Sequence, residues 1–127
     1  DHTQRSQLSF LLAEASGARG MIGGQMLDLL GENQSFTLEE IQHMQRMKTG
    51  ALIQYAIEAI AMIGNATSEE NHALKEYAQA LGLAYQIADD LLDVESTSAE
   101  TGKTVGSDAT HGKSTFISLL GIQQAKE

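Results

Sequence analysis

Apolar residues along this 127-residue chain recur every three or four positions, the spacing of one face of an α-helix, and nowhere alternate with a period of two. The first such stretch runs from about His2 to Ser16, with Leu8, Leu11, Leu12 and Ala15 on one side. Gly17 to Gly24 is rich in glycine and leads into Gln25-Met26-Leu27-Asp28-Leu29-Leu30, predicted as a short helix or a kinked continuation of the first. Gly31 to Ser35 reads as a turn. Thr37-Leu38-Glu39-Glu40 is a capping box, with Thr37 as N-cap and Glu40 reaching back to it. The helix it opens should run to about Ile63, where Gly64 and Asn65 stop it. Thr67-Ser68-Glu69-Glu70 is a second capping box, and its helix should continue to about Val94. Residues 95 to 112 have loop composition. A last helix is expected from Ser114 towards the C-terminus, with Phe116, Ile117, Leu119, Leu120 and Ile122. The pattern predicts an all-α helical bundle, with residues 1–127 in one domain and no repeat or linker.

Composition agrees with long helices. The chain has no proline, where about 5% is usual, so nothing breaks a helix interior by that route. It also has no cysteine, which rules out disulfides, iron–sulfur clusters and cysteine-ligated zinc. No apolar run approaches the ~18 residues of a membrane span. The first residues show no basic segment followed by an apolar one, so no signal peptide is visible and a cytoplasmic protein is expected. The formal net charge is −9, which argues against nucleic acid as a partner, because sequence-independent binding needs a basic face.

The placement of the charges is more informative than their sum. Gln86, Asp89, Asp90 and Asp93 fall within an arc of about 100° on one helix. Around them stand Leu81, Ala84, Tyr85, Ile87, Ala88, Leu91 and Leu92, and no Lys or Arg occurs between Lys75 and Lys103. Like charges one turn apart repel, and carboxylates near a helix C-terminus oppose its dipole. A divalent cation removes both penalties, and magnesium suits a few carboxylates combined with waters and phosphate oxygens. The alternative is a solvated acidic face. An EF-hand is excluded by the Asp spacing and the position of the glycine.

Lys48 falls on the apolar stripe of Ile41, Met44, Ala51, Leu52, Tyr55, Ala59 and Ile63. An ammonium group facing a core needs an anion, unless its stem lets the head reach water. Lys48 and Thr49 together could meet a phosphate, and Gly50 allows close approach of a ligand or another helix. Lys103 and Lys113 lie around a third feature, the stretch from Gly102 through Asp108 to Gly112-Lys113-Ser114-Thr115. Its alternative reading is an ordinary surface loop. It is not a P-loop, which would need a preceding strand and a glycine at Ser107.

These features converge on one resemblance. Gly82-Leu83-Ala84-Tyr85-Gln86-Ile87-Ala88-Asp89-Asp90-Leu91-Leu92-Asp93-Val94 resembles the second aspartate-rich motif of trans-isoprenyl diphosphate synthases. Lys48-Thr49-Gly50-Ala51-Leu52 resembles their Lys-Thr-Gly motif, and Gly23-Gly24-Gln25-Met26-Leu27-Asp28-Leu29 is similar to the helix before it. Gly102-Lys103 and Lys113-Ser114-Thr115-Phe116 resemble their diphosphate-clamping loop. The likeness covers nearly the whole chain, and the short-chain, farnesyl-forming members match best.

The resemblance implies the second half of an isoprenoid-synthase-type bundle around a deep apolar cavity, and a homodimer. It implies that magnesium, an allylic diphosphate and isopentenyl diphosphate are the ligands. In the metal set Asp89, Asp90 and Asp93, Asp89 would ligate directly, Asp93 directly or through water, and Asp90 would support them. Lys48, Lys103 and Lys113 would hold the allylic diphosphate. Gln86 and Thr49 would turn neutral dipoles towards a developing cation, and Gln25, Asp28 and Asp108 would stand behind them. The family's first aspartate-rich motif, with the residues beside it that set product length, has no counterpart here. The expectation is therefore that these residues alone do not catalyse prenyl transfer. A geranylgeranyl or longer-chain synthase, and a non-catalytic helical subunit of such a synthase, remain the rival readings.

Overall fold

The computed structural model describes residues 1–32, 34–95 and 114–126, and every regular element among them is helical. The helices are α1 (His2–Ser16), α2 (Met21–Gly31), α3 (Leu38–Gln45), a π-helical segment (Arg46–Gly50), α4 (Ala51–Ile63), α5 (Ser68–Glu95), α6 (Phe116–Leu120) and α7 (Ile122–Ala125). The loop features Lys103, Asp108 and Lys113 lie outside the described residues.

Both predicted capping boxes form. The Thr37 N–H donates to Glu40 Oε2 at 2.8 Å and Glu40 N–H donates to Thr37 Oγ1 at 3.3 Å. Thr67 and Glu70 repeat the arrangement at 2.7 and 3.2 Å. Each box satisfies N–H groups that a helix start would otherwise leave orphaned. The two backbone N–H bonds, helped by the threonine hydroxyls, hold the Glu40 and Glu70 carboxyls below their ordinary value of 4.5.

The helix expected from Thr37 to Ile63 is continuous in direction but not in type. Its middle, Arg46–Gly50, is a π-turn, the kind of single-turn widening that often marks a functional position. Two glycine contacts accompany it. A Cβ on Gly24 of α2 would lie 2.2 Å from the Lys48 backbone nitrogen, and one on Gly82 of α5 would lie 3.4 Å from Gly50 Cα. Helices α2 and α5 thus both press against the π-turn through glycine. At the contact with α5 the glycine that sets the approach is Gly82, since a Cβ on Gly50 would meet only Gln45 and Arg46 of its own helix.

Helix α4 packs along α5 and α1. Gln4 Nε2 of α1 donates to the Met62 carbonyl at 2.9 Å, and the Lys75 ammonium lies 3.4 Å from Glu58 across α4 and α5. Ile41 and Phe116 are the largest fully buried side chains, joined in the core by Met44, Ala61, Ala78, Ile117 and Ala125.

Two expectations need correction. The last helix is not continuous, and it starts at Phe116 rather than Ser114. Thr115 caps it in a box with Ser118, and Gly121 at φ +78° divides it from α7. The apolar residues that should wrap the aspartate helix are also uncovered among the described residues. Leu81, Tyr85 and Leu92 of α5 are exposed, as is Ile63 at the end of the Lys48 stripe. A sequence stripe marks a face that seeks a partner, and no described helix supplies one there.

Candidate functional site at the helix junction

Four elements meet at the π-turn. Lys48 projects from it towards α2, where its Nζ donates to Asp28 Oδ2 at 2.8 Å. Asp28 is almost buried, while Lys48 keeps about a third of its side chain exposed (31%). The lysine in the apolar stripe therefore has an anion, and that anion is an aspartate of α2. Removing Lys48 would take this cation from a nearly buried carboxylate, at a cost of roughly 1–3 kcal/mol for a lost partner at a buried group.

The next residue faces the other way. Thr49 Oγ1 donates to Gln86 Oε1 of α5 at 3.3 Å, a long contact for a hydroxyl. Gln86 is buried, and its Nε2 donates to Asp90 Oδ1 at 2.9 Å. Asp90 Oδ2 accepts from the Phe116 backbone N–H at 3.0 Å. Just before it in the chain, Ser114 Oγ accepts from the Phe36 N–H at 3.1 Å. The residues that begin α6 are pinned to both α5 and the α2–α3 connection.

The three aspartates of α5 thus occupy different environments. Asp90 is 3% exposed and points into the junction, whereas Asp89 is exposed and Asp93 half-buried. Adjacent helix residues point about 100° apart, so a shared arc does not make a shared site. Among the described residues no three carboxylates or imidazoles gather as a metal-holding group. Asp89 and Asp93, one turn apart, still make a suitable partial donor set for magnesium. They offer only oxygen, and one or two carboxylates are what this ion takes when waters and phosphate oxygens complete its octahedron.

The structure therefore brings together Asp28, Lys48, Thr49, Gln86 and Asp90, with Asp89 and Asp93 on the adjoining turns of α5. Gln25 is exposed on α2 and takes no part in these bonds. Sequence reasoning missed the Phe116 amide, since nothing in a pattern of side chains marks a backbone donor 26 residues away. Two grooves between the described helices lie apart from this junction. One of about 480 Å³ lies between the α3–α4 helix and α5 and is lined by Gln42, Arg46, Gln54, Glu76, Ala80 and Leu83, among others. Neither it nor the groove at the ends of α4 and α5 is lined by Lys48, Gln86 or Asp89.

The fold and this junction define a class: an all-helical protein that sets a lysine, a hydroxyl, an amide and several aspartates where its helices cross. The profile of polyprenyl synthetase matches residues 2–127, and the chain belongs to that family. It is 44% identical to the farnesyl diphosphate synthase of Geobacillus stearothermophilus over 97% of its own length and 41% of the relative's. It is similar in structure to an FPP/GFPP synthase from Zymomonas mobilis, with a TM-score of 0.81 and 41% identity over 99% of this chain and 41% of that one. A geranyltransferase from Helicobacter pylori, solved with magnesium and isoprenyl diphosphate, superimposes with a TM-score of 0.86 at 31% identity, over 99% of this chain and 41% of the other. The chain spans about two fifths of the length of each of these relatives.

Proposed function

We propose that this chain is the second half of a single prenyltransferase domain that joins isopentenyl diphosphate to an allylic diphosphate, giving farnesyl diphosphate. The observation that carries this reading is the hydrogen-bonded junction of Asp28, Lys48, Thr49, Gln86 and Asp90 beside Asp89 and Asp93. Family membership and the farnesyl diphosphate synthase at 44% identity support it.

In this reading Lys48, held in place by Asp28, binds the allylic diphosphate through a charge-assisted contact, together with Lys103 and Lys113. The allylic C–O bond breaks and its electron pair leaves with the diphosphate. The double bond of isopentenyl diphosphate then attacks the allylic carbon, a C–C bond forms, and the resulting cation gives up a proton to the departed diphosphate. Thr49 and Gln86 turn neutral oxygen dipoles towards the electron-poor carbons, while apolar walls keep water out. Asp89 and Asp93 would hold magnesium, which supplies charge neutralisation to the departing diphosphate. Gln25, Asp28 and Asp108 are proposed supports. The proposed assembly is a homodimer and the proposed setting the cytoplasm.

The test is an assay of the complete reading frame that contains these residues, with geranyl diphosphate, isopentenyl diphosphate and magnesium, beside Asp89→Ala. Loss of a metal contact worth several kcal/mol should lower turnover on the order of a hundredfold or more. A product longer than farnesyl diphosphate would keep the mechanism and change the product. No product from a folded protein would favour the non-catalytic subunit.

A further inference from the structure

We propose that Asp90 is a positioning residue that sets the hydrogen-bond polarity of the Gln86–Thr49 pair, rather than a ligand of the metal. The inference rests on the prenyl-transfer reading and deepens it. Its basis is a chain of donors and acceptors whose direction is forced from one end.

The Phe116 backbone N–H can only donate, and it donates to Asp90 Oδ2 at 3.0 Å. A carboxylate can only accept, so the group that meets Asp90 Oδ1 at 2.9 Å must be the NH2 of Gln86. That conclusion follows from chemistry and does not depend on telling the oxygen and nitrogen of Gln86 apart. With its NH2 committed to Asp90, Gln86 presents its carbonyl to Thr49. The Thr49 hydroxyl must then donate, as the 3.3 Å contact has it. Its oxygen lone pairs are left facing away from Gln86, which is the polarity needed beside a developing carbocation.

Burial makes the order rigid. Phe116, Gln86 and Asp90 are all buried, at 1%, 8% and 3% exposure, so water does not readily substitute for a mismatched partner. Asp90 is also the most buried aspartate of the three, while its neighbour Asp89 is exposed.

Asp90→Asn should invert the chain. The new asparagine must give its carbonyl to the Phe116 N–H, which leaves its NH2 facing Gln86. Gln86 then turns its carbonyl to that NH2 and its own NH2 to Thr49. Thr49 becomes an acceptor and its hydroxyl hydrogen points outward. Adding Gln86→Glu restores the original sense, because the introduced carboxylate accepts both from the asparagine NH2 and from Thr49. The double variant also keeps the net charge. Gln86→Glu alone sets two carboxylates face to face and should be worse than Asp90→Asn.

The experiment uses the complete reading frame, these three variants and Asp90→Ala. Four readouts are taken: kcat and KM, calorimetric binding of magnesium with inorganic pyrophosphate, amide hydrogen exchange over residues 114–120, and thermal melting. In Asp90→Asn, kcat should fall about tenfold or more with the binding constant for magnesium pyrophosphate unchanged. The double variant should recover most of that loss. Exchange at residues 114–120 should stay slow in Asp90→Asn and rise in Asp90→Ala, which removes the acceptor.

Weakened magnesium binding in Asp90→Asn, with no rescue by Gln86→Glu, would overturn the proposal and make Asp90 a ligand. Unchanged kcat in Asp90→Asn would overturn it as well. If Asp90→Asn does not fold, rescue of melting by Gln86→Glu supports the proposal and its absence refutes it. A folded wild type with no prenyl product would remove the function reading alone. Exchange and the melting cycle would then still decide whether Asp90 sets the order of the chain.

Discussion

At the scale of single residues, the carboxyl groups of Glu40 and Glu70 show how a local pattern becomes a measurable property. Each accepts from a backbone N–H and from the hydroxyl of the same threonine, and both sit lower than their ordinary 4.5. A carboxylate lowered in the folded state stabilises the fold at pH values above its unfolded pKa. That contribution is lost as pH falls through the lower folded value. The stability gap between the wild type and the Glu40→Gln, Glu70→Gln variant should therefore be open at pH 7 and narrow as pH falls below the ordinary carboxylate value. Thermal melts of both proteins at about pH 7, 5 and 3.5, spanning the ordinary carboxylate range, check this. A gap that does not change with pH would mean that the two glutamates act as helix formers rather than as charged caps. These residues were legible in the sequence because each interaction spans three positions and needs no tertiary information. Lys48 was half legible. Its place on an apolar stripe demanded an anion, but only the packing of α2 shows that the anion is Asp28. Asp90 was half legible too. A helical wheel groups it with Asp89 and Asp93, whereas its partners include Gln86 and a backbone amide on a different helix.

At the scale of elements, the helices were readable and their irregularities were not. Period and capping boxes predict α3 to α5 closely, because those signals lie within the elements. The π-turn at Arg46–Gly50 and the break at Gly121 arise from how neighbours pack and from one backbone angle. The two glycine contacts at the π-turn differ in kind and should respond differently to a methyl group. A Cβ on Gly24 would sit 2.2 Å from Lys48 N and 2.6 Å from its Cα, so backbone must move. Gly24→Ala should destabilise the protein by about 1–3 kcal/mol, the usual effect of overpacking, and displace Lys48 from Asp28. A Cβ on Gly82 would meet Gly50 Cα at 3.4 Å, which is ordinary contact. There the gain from replacing glycine in a helix, up to about 1 kcal/mol, should dominate. Gly82→Ala is expected to be neutral or stabilising. Denaturant unfolding of the two variants checks the contrast, and equal destabilisation would refute it. A Cβ on Gly50 itself would meet only Gln45 O at 3.7 Å and Arg46 Cβ at 3.9 Å within its own helix, so the contact with α5 is set by Gly82.

At the scale of the whole molecule, the imbalance is between a small core and large uncovered apolar faces. Among the described residues only Ile41 and Phe116 are large and fully buried, while α2 exposes Ile22, Met26, Leu29 and Leu30, and α5 exposes Tyr77, Leu81, Tyr85 and Leu92. On α2 these residues fall within about 100° of arc, a continuous stripe rather than scattered positions. On α5 they follow one another at helical spacing along the face next to Asp89. Contiguous apolar surface of this kind marks an interaction face, because single exposed apolar residues are common but ordered stripes are not. In the proposed reading these faces form the walls of the cavity around the allylic chain and are covered by the other portion of the domain. The chain spans only about two fifths of its relatives, so the site residues described here can be well ordered and still lack a wall. Two consequences separate this reading from a self-sufficient helical module. The 127-residue chain on its own should sediment as concentration-dependent oligomers and enhance the fluorescence of a dye that binds apolar surface. The complete reading frame should do neither beyond a single defined oligomer. Replacing Met26 and Leu29 by Gln should reduce self-association of the short chain while destabilising the longer one, since the stripe is exposed in the first and buried in the second. A monodisperse short chain that ignores the dye would instead mean that these faces are built for water, and that the cavity must be sought elsewhere.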